Sequence, residues 1–143
     1  MNELRITRTL DAPRDAVFSA WLDPDQVAEW WGPEGFETPR DRVEIEPRVG
    51  GRYNLIMVAP GGAEYPVRQE IVELAEPELL VLRHEAMPDF GMPEPTVTRI
   101  ELRDEGGNTH MTLTSGPYTD AMLANAERGW DTSMDTLEAL LGR

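Results

Sequence analysis

The stretch YTDAMLANAERGWDTSMDTLEALL, residues 118–141, constrains the fold more than any other part of the chain. Wound at about 100° per residue, it gathers Met122, Leu123, Ala126, Trp130, Met134, Leu137, Leu140 and Leu141 within an arc of roughly 120°. Glu127, Asp131, Asp135 and Glu138 fall on the opposite side. This is an amphipathic helix with one broad apolar face, which must be covered by something else in the chain. Small residues interrupt that face: Ala126 and Ser133 flank Trp130 near its middle, and Gly129 lies at its edge. Such a face either packs flush as an ordinary core helix or leaves a hollow beside it.

The natural cover precedes it. From Arg42 onward the sequence alternates with period two, and strands are expected at Arg42–Glu46, Arg52–Val58, Glu64–Leu74, Leu79–Glu85, Thr96–Arg103 and Thr109–Thr114. VGG, APGGA, AEPE and DEGGN supply the glycine and proline that tight antiparallel connections need. The irregular connection is Ala86–Pro95, AMPDFGMPEP, whose three prolines exclude regular structure while Met87, Phe90 and Met92 keep it apolar. Loops of that length often carry function, and this one is expected to form the rim of a pocket.

At the other end of the chain, Glu3–Leu10 alternates as a first strand with Leu4, Ile6 and Arg8 on one side. Asp11 and Pro13 then open a short helix striped by Ala16, Val17, Ala20 and Trp21. Asp23, Pro24 and Gln26 mark a second helix start, with Asp23 as cap and the Gln26 amide placed to reach back in a capping box. Trp30 and Trp31 follow at its end, before Gly32 and Pro33 stop it. Neighbours on a helix diverge by about 100°, so one tryptophan is expected to anchor the helix and the other to close over a site or plug a junction. One strand, two short helices, six strands and a long helix define an α+β domain. A helix of 24 residues is about 36 Å long, and seven strands at about 4.8 Å spacing are comparably wide; such a sheet can curl around the helix.

At 143 residues the chain is expected to be one domain with one core. It has no cysteine and only two histidines, which removes thiol chemistry and makes a structural metal site or a cofactor an unfavoured reading. The formal charge of −14 arises from 27 acids against 13 arginines, and there is no lysine to form a Schiff base. That field repels phosphate backbones and anionic lipid, so nucleic acid and membrane surfaces are poor partners. With no apolar run of spanning length and no leader-like start, a cytoplasmic protein is expected.

The order of motifs is also familiar. APRDAVFSAWLDPDQVAEWWGP, PRVGGRYNL, EIVELAEPELLVLRHE, a glycine hairpin into THMTLT, and GWDTSMDTLEALL together resemble the SRPBCC or START-like superfamily. Within it the chain is most similar to the branch related to the C-terminal domain of the heat-shock-protein-90 ATPase activator, from Ile6 to Leu141. The resemblance implies a helix-grip fold of six or seven strands wrapped around the last helix, with a cavity that in many members binds apolar or amphipathic small molecules. It departs from the pattern at Gln69, where many relatives carry glycine, so the cavity shape is not carried over. The superfamily spans carriers, sensors, polyketide cyclases and chaperone-binding modules, and fold alone does not choose among them.

Alternation assigns the lining. If Leu80 and Leu82 face the helix, so does His84; Val72 and Leu74 bring in Glu70 and Arg68; Leu55 and Met57 bring in Tyr53; Ile100 and Leu102 bring in Thr98. His110 turns outward from Met111 and Leu113. The expected ligand site therefore comprises Trp30, Trp31, Tyr53, Arg68, Glu70, His84, Thr98, Met122, Ala126 and Trp130. Buried Arg68 and Glu70 would have to pair with each other or with a bound polar group. The leading expectation is a hydrophobic or aromatic ligand, its identity open. Two alternatives stand beside it. His84, with Glu70 or Tyr53, is a candidate acid or base for an enolisable substrate in a polyketide-cyclase-like reaction, with Arg68 stabilising negative charge. A chaperone-interacting module would instead show an apolar patch on the outer sheet face or the 86–95 loop. Homodimerisation through that loop or a sheet edge stays open.

Overall fold

The computed structural model describes residues 2–142. Its strands are β1 (Asn2–Leu10), β2 (Glu44–Ile45), β3 (Arg52–Val58), β4 (Glu64–Ala75), β5 (Leu79–His84), β6 (Thr96–Glu105) and β7 (Asn108–Tyr118). They form one antiparallel sheet in the order β1-β7-β6-β5-β4-β3-β2. Strands β2 to β7 run as a meander, each pairing with the next, and β1 closes the far edge by pairing with β7. Three helices, α1 (Arg14–Leu22), α2 (Pro24–Trp30) and α3 (Asp120–Leu141), complete the chain. The curved sheet grips α3, the helix-grip arrangement, while α1 and α2 close one end.

The N-terminal signals act locally as their chemistry requires, with one change of partner. The Asp23 carboxylate accepts from the Asp25 amide at 3.0 Å and caps α2. Gln26 reaches back, but to the Asp23 carboxylate at 3.0 Å and the Ser19 hydroxyl at 3.2 Å rather than to the Asp23 amide. That amide is already bonded to the Ser19 carbonyl as the last hydrogen bond of α1, so the reciprocal half of the capping box has no donor left.

Three of the differences in element boundaries from the sequence reading have a clear local cause. The expected strand 42–46 is a 3-10 turn at Arg40–Arg42 followed by only Glu44–Ile45; Pro39 and Pro47 bracket it, and proline has no amide to give to a ladder. The last strand continues through Ser115 and Gly116 to Tyr118, because these residues keep pairing with β1 on one side and β6 on the other. At Gly116 any Cβ would stand 2.9 Å from the Glu3 Cα, so only glycine lets β1 and β7 approach there. Tyr118 consequently belongs to the sheet, and α3 begins after Thr119, whose hydroxyl accepts from the Met122 amide at 3.3 Å.

Packing along α3 is uneven. In its C-terminal half Ser133, Met134 and Leu137 are buried, and the helix lies against β1, β7, α1 and α2. In its N-terminal half no residue is fully buried: Met122, Leu123 and Ala126 are only partly covered. One core runs through Leu4, Leu10, Trp21, Leu82, Met111 and Leu113 under the sealed half. Under the lifted half, between the helix and β3 to β6, the space is not filled.

Candidate functional site

That space is a hollow of about 370 Å³. Met122, Asn125, Ala126 and Trp130 of α3 form its roof. Its floor is the inner face of the sheet, with Met57, Val67, Gln69, His84, Thr96 and Thr98. Trp31 and Phe36 close one side, and Met87, Phe90 and Met92 of the 86–95 loop form the other. At the mouth, Tyr65 bridges Phe36 at 5.9 Å and Phe90 at 5.7 Å between ring centroids. Four of the seven methionines border the space; their unbranched, polarizable side chains adapt to different shapes. No Asp, Glu or Arg side chain borders it among the described residues.

The two tryptophans that α2 ends on separate. Trp30 is 1% exposed and anchors α2: its indole Nε1 donates to the Ala20 carbonyl at 2.8 Å and its ring meets Trp21 edge-on at 4.5 Å. It therefore belongs to the core and not to the hollow. Trp31, the first residue past the helix, swings the other way onto the hollow and touches Trp130 at 5.2 Å.

Tyr53 is likewise core. It points inward from β3, but it is fully buried behind Trp31, and its hydroxyl donates to the Trp21 carbonyl. Burial pushes its phenol well above the ordinary tyrosine pKa.

Arg68 and Glu70 stand on the outer face, a correction with a definite cause. Ile71 pairs with Leu82 and Glu73 pairs with Val81, so β4 holds one extra residue between them. Across such a bulge the in-out alternation slips by one. Leu74 packs on the core after the bulge, but counting back in twos from it lands on the wrong face. The inward set before the bulge is Val67, Gln69 and Ile71. Arg68 is exposed and pairs with Glu85 at 3.5 Å, and Glu70 is exposed too.

His84 does line the hollow, with both ring nitrogens engaged by backbone. Nδ1 lies 2.7 Å from the Glu85 carbonyl; a carbonyl only accepts, so the proton sits on Nδ1. Nε2 faces the Arg68 amide at 3.4 Å, a long contact. Neither Glu70 nor Tyr53 reaches it, so the expected acid-base set is not assembled. Among the other polar groups, Thr98, Ser115 and Tyr118 form a short hydroxyl chain: Thr98 to Ser115 at 2.8 Å, and Ser115 to Tyr118 at 2.8 Å.

Gln69, read from sequence only as a departure from a pattern, is the floor residue that reasoning missed. It pairs across the sheet with Tyr53 on one side and His84 on the other. Its side-chain nitrogen is buried without a hydrogen-bond partner. The readable signal was Val67 and Ile71, which share its parity on β4.

A second depression, of about 430 Å³, lies behind Trp31 and is bordered by Glu29, Glu37, Thr38 and Thr136. It is larger but has no comparable apolar wall. No group of three or more His, Asp or Glu residues among those described is placed to hold a metal ion. No helix of the described residues is long and apolar enough to cross a membrane.

A curved antiparallel sheet gripping a C-terminal helix, with a hollow between them, defines an SRPBCC-type helix-grip protein. The members of that superfamily are generally ligand-binding or polyketide-cyclase-like. Residues 11–142 match the family model described as activator of Hsp90 ATPase homolog 1-like protein, and the chain belongs to that family. It is similar to a crystallised protein from Chromobacterium violaceum at 30% identity and a TM-score of 0.89, covering 99% of this chain and 98% of that one. An AHSA1 protein from Silicibacter pomeroyi superposes with a TM-score of 0.84 at 23% identity, covering 99% and 98%. CalU16 from Micromonospora echinospora shares the fold at 22% identity and a TM-score of 0.74, covering 97% of this chain and 75% of its own. Among curated proteins none matches significantly.

Proposed function

We propose that this chain is a binding domain for a hydrophobic or aromatic small molecule, held between the lifted half of α3 and the inner sheet face. The observation that carries this reading is the half-sealed helix: an unfilled apolar space of about 370 Å³ under a helix whose other half is buried. Volumes of about 300–1,000 Å³ with apolar walls and few polar groups are what small-molecule sites have. In this reading Trp31, Trp130, Met122 and Ala126 contact the apolar body of the ligand, and Thr98 and His84 border its polar end. Arg68 and Glu70 on the outer face, and Trp30 and Tyr53 in the core, take no part.

The test is thermal and spectroscopic. All four tryptophans interlock, Trp31 with Trp21, Trp30 and Trp130, so a ligand against Trp31 or Trp130 alters emission from the whole cluster. A ligand present at a hundred times its Kd stabilises the fold by about 2.7 kcal/mol. A panel of lipophilic and aromatic compounds should contain members that change tryptophan emission and raise Tm together. A broad panel that moves neither would remove this reading.

A further inference from the structure

We propose that the hollow selects a neutral, largely apolar molecule bearing a carbonyl oxygen, and that the side-chain amide of Gln69 donates the hydrogen bond that receives it. This rests on the hollow being a binding site and adds the chemical class of its occupant.

Gln69 is 8% exposed, lines the hollow, and keeps its side-chain nitrogen buried with no acceptor. Buried amide donors are nearly always satisfied, because leaving one unpaired forfeits its hydration without return. The other buried donor without a partner, Trp21 Nε1, does not border the hollow. Of the neighbouring polar groups, Thr98, Ser115 and Tyr118 share two hydrogen bonds with one another and His84 is held by backbone. Among the floor residues Gln69 is the one whose buried side-chain donor has no partner.

Charge narrows the class further. No Asp, Glu or Arg side chain borders the space among the described residues. A carboxylate or ammonium drawn inside would be desolvated without a counterion. A carbonyl oxygen needs one donor and no counter-charge. The apolar body has its place next to it: Tyr53, the cross-strand neighbour of Gln69, lies 5.7 Å from Trp31, which in turn meets Trp130.

Calorimetric titration of the whole chain with three probes of one ring size tests this: acetonaphthone, ethylnaphthalene and naphthoate. The ketone should bind about tenfold more tightly than the hydrocarbon, the worth of one buried hydrogen bond, and the anion should bind more weakly than either. In Gln69→Met the hydrocarbon affinity should hold within about twofold and the ketone preference should vanish. The chain has two glutamines, so side-chain amide NMR gives a second readout on the unmodified protein: the ketone, and not the hydrocarbon, should shift the Gln69 signal and leave Gln26 in place. This readout decides the matter if Gln69→Met does not fold. Equal binding of ketone and hydrocarbon, tighter binding of the anion, or a preference that survives Gln69→Met overturns the role of Gln69 while the binding reading stands. No binding by any probe, together with a silent lipophilic panel, removes the binding reading itself.

Discussion

Trp31 and Trp130 meet edge to face at 5.2 Å between ring centroids and 70° between planes, one from the end of α2 and the other from the middle of α3. The contact lies at the point where α3 changes from lifted to sealed. Trp31 is 8% exposed, whereas Trp130 is only partly covered. Truncating the two should therefore cost unequally. Trp31→Ala should destabilise by about 3–5 kcal/mol, as buried tryptophan truncations do. Trp130→Ala should cost about 1–2 kcal/mol and widen the hollow. Denaturant unfolding of both variants measures the difference, and equal costs would mean that Trp130 is as deeply sealed as Trp31.

How much of this was legible follows from where the chain keeps a single phase. The amphipathic register of α3 placed Met122, Ala126 and Trp130 on the side that meets the hollow, because nothing interrupts a helix of that composition. Along β5, Leu80, Leu82 and His84 share a face for the same reason. Along β4 a constant alternation does not hold: Ile71 is buried and Leu74 packs on the same core three residues later, and only an added residue between them reconciles that with a strand. The bulge hid Gln69 and exposed Arg68 and Glu70. Trp30 and Tyr53 were placed on the correct elements, but depth is not written in alternation. An inward side chain becomes core or lining according to what stands in front of it, and Trp31 stands in front of Tyr53.

Arg8 links β1 to the outer flank of α3. Its guanidinium bonds Asp131 at 2.7 Å, Asp135 at 2.9 Å and Glu138 at 2.9 Å. Those three acids are one turn apart on the same helix edge, and without a cation between them they repel. Hydrogen bonds to the carboxylates hold the Arg8 guanidinium protonated against the opposing pull of burial. Arg8→Met should keep the aliphatic packing and lose the network, destabilising by about 1–2 kcal/mol. Urea unfolding should show the loss shrinking at high salt, where the acids are screened; a loss that does not depend on salt would place its origin in packing.

Tyr53 gives the fold an alkaline limit. Its phenol is held well above the ordinary value of about 10 by burial, so the unfolded chain loses this proton first. The contribution of the neutral phenol is whole below about pH 10 and is lost as pH rises through the folded-state value, because there the native state binds more protons than the unfolded one. Tyr53→Phe should flatten that decline. It should also cost about 1–2 kcal/mol at neutral pH, since the Trp21 carbonyl loses its donor. Stability measured from pH 8 to 11 in both proteins checks the sign.

Gly51 sits where β3 begins, and a Cβ there would lie 2.1 Å from the Glu46 carbonyl oxygen and 2.8 Å from that of Arg48. Both are backbone atoms, so no rotamer relieves the clash. The Gly51 carbonyl also accepts from the Ile71 amide at 2.9 Å, directly beside the β4 bulge. Gly51→Ala should therefore destabilise by about 3 kcal/mol or more and disturb the phase of β4 around Gln69. Amide exchange at Ile71 should accelerate; unchanged protection there would show that the turn and the bulge are independent.

Filling the hollow separates stability from binding. Ala126 lies on the lifted half of α3 and faces unfilled space rather than packed side chains. A large apolar residue there escapes the strain that accompanies enlargement in a filled core and covers apolar surface of the hollow. Ala126→Leu should leave the fold unchanged or more stable by up to about 1 kcal/mol, while affinity for any aromatic ligand in the hollow falls at least about tenfold. Both quantities come from one set of thermal scans with and without the probe. If Ala126→Leu instead destabilises strongly, the space under α3 is already taken up by packing and the ligand account loses its ground; if it leaves affinity intact, ligands bind elsewhere on the molecule.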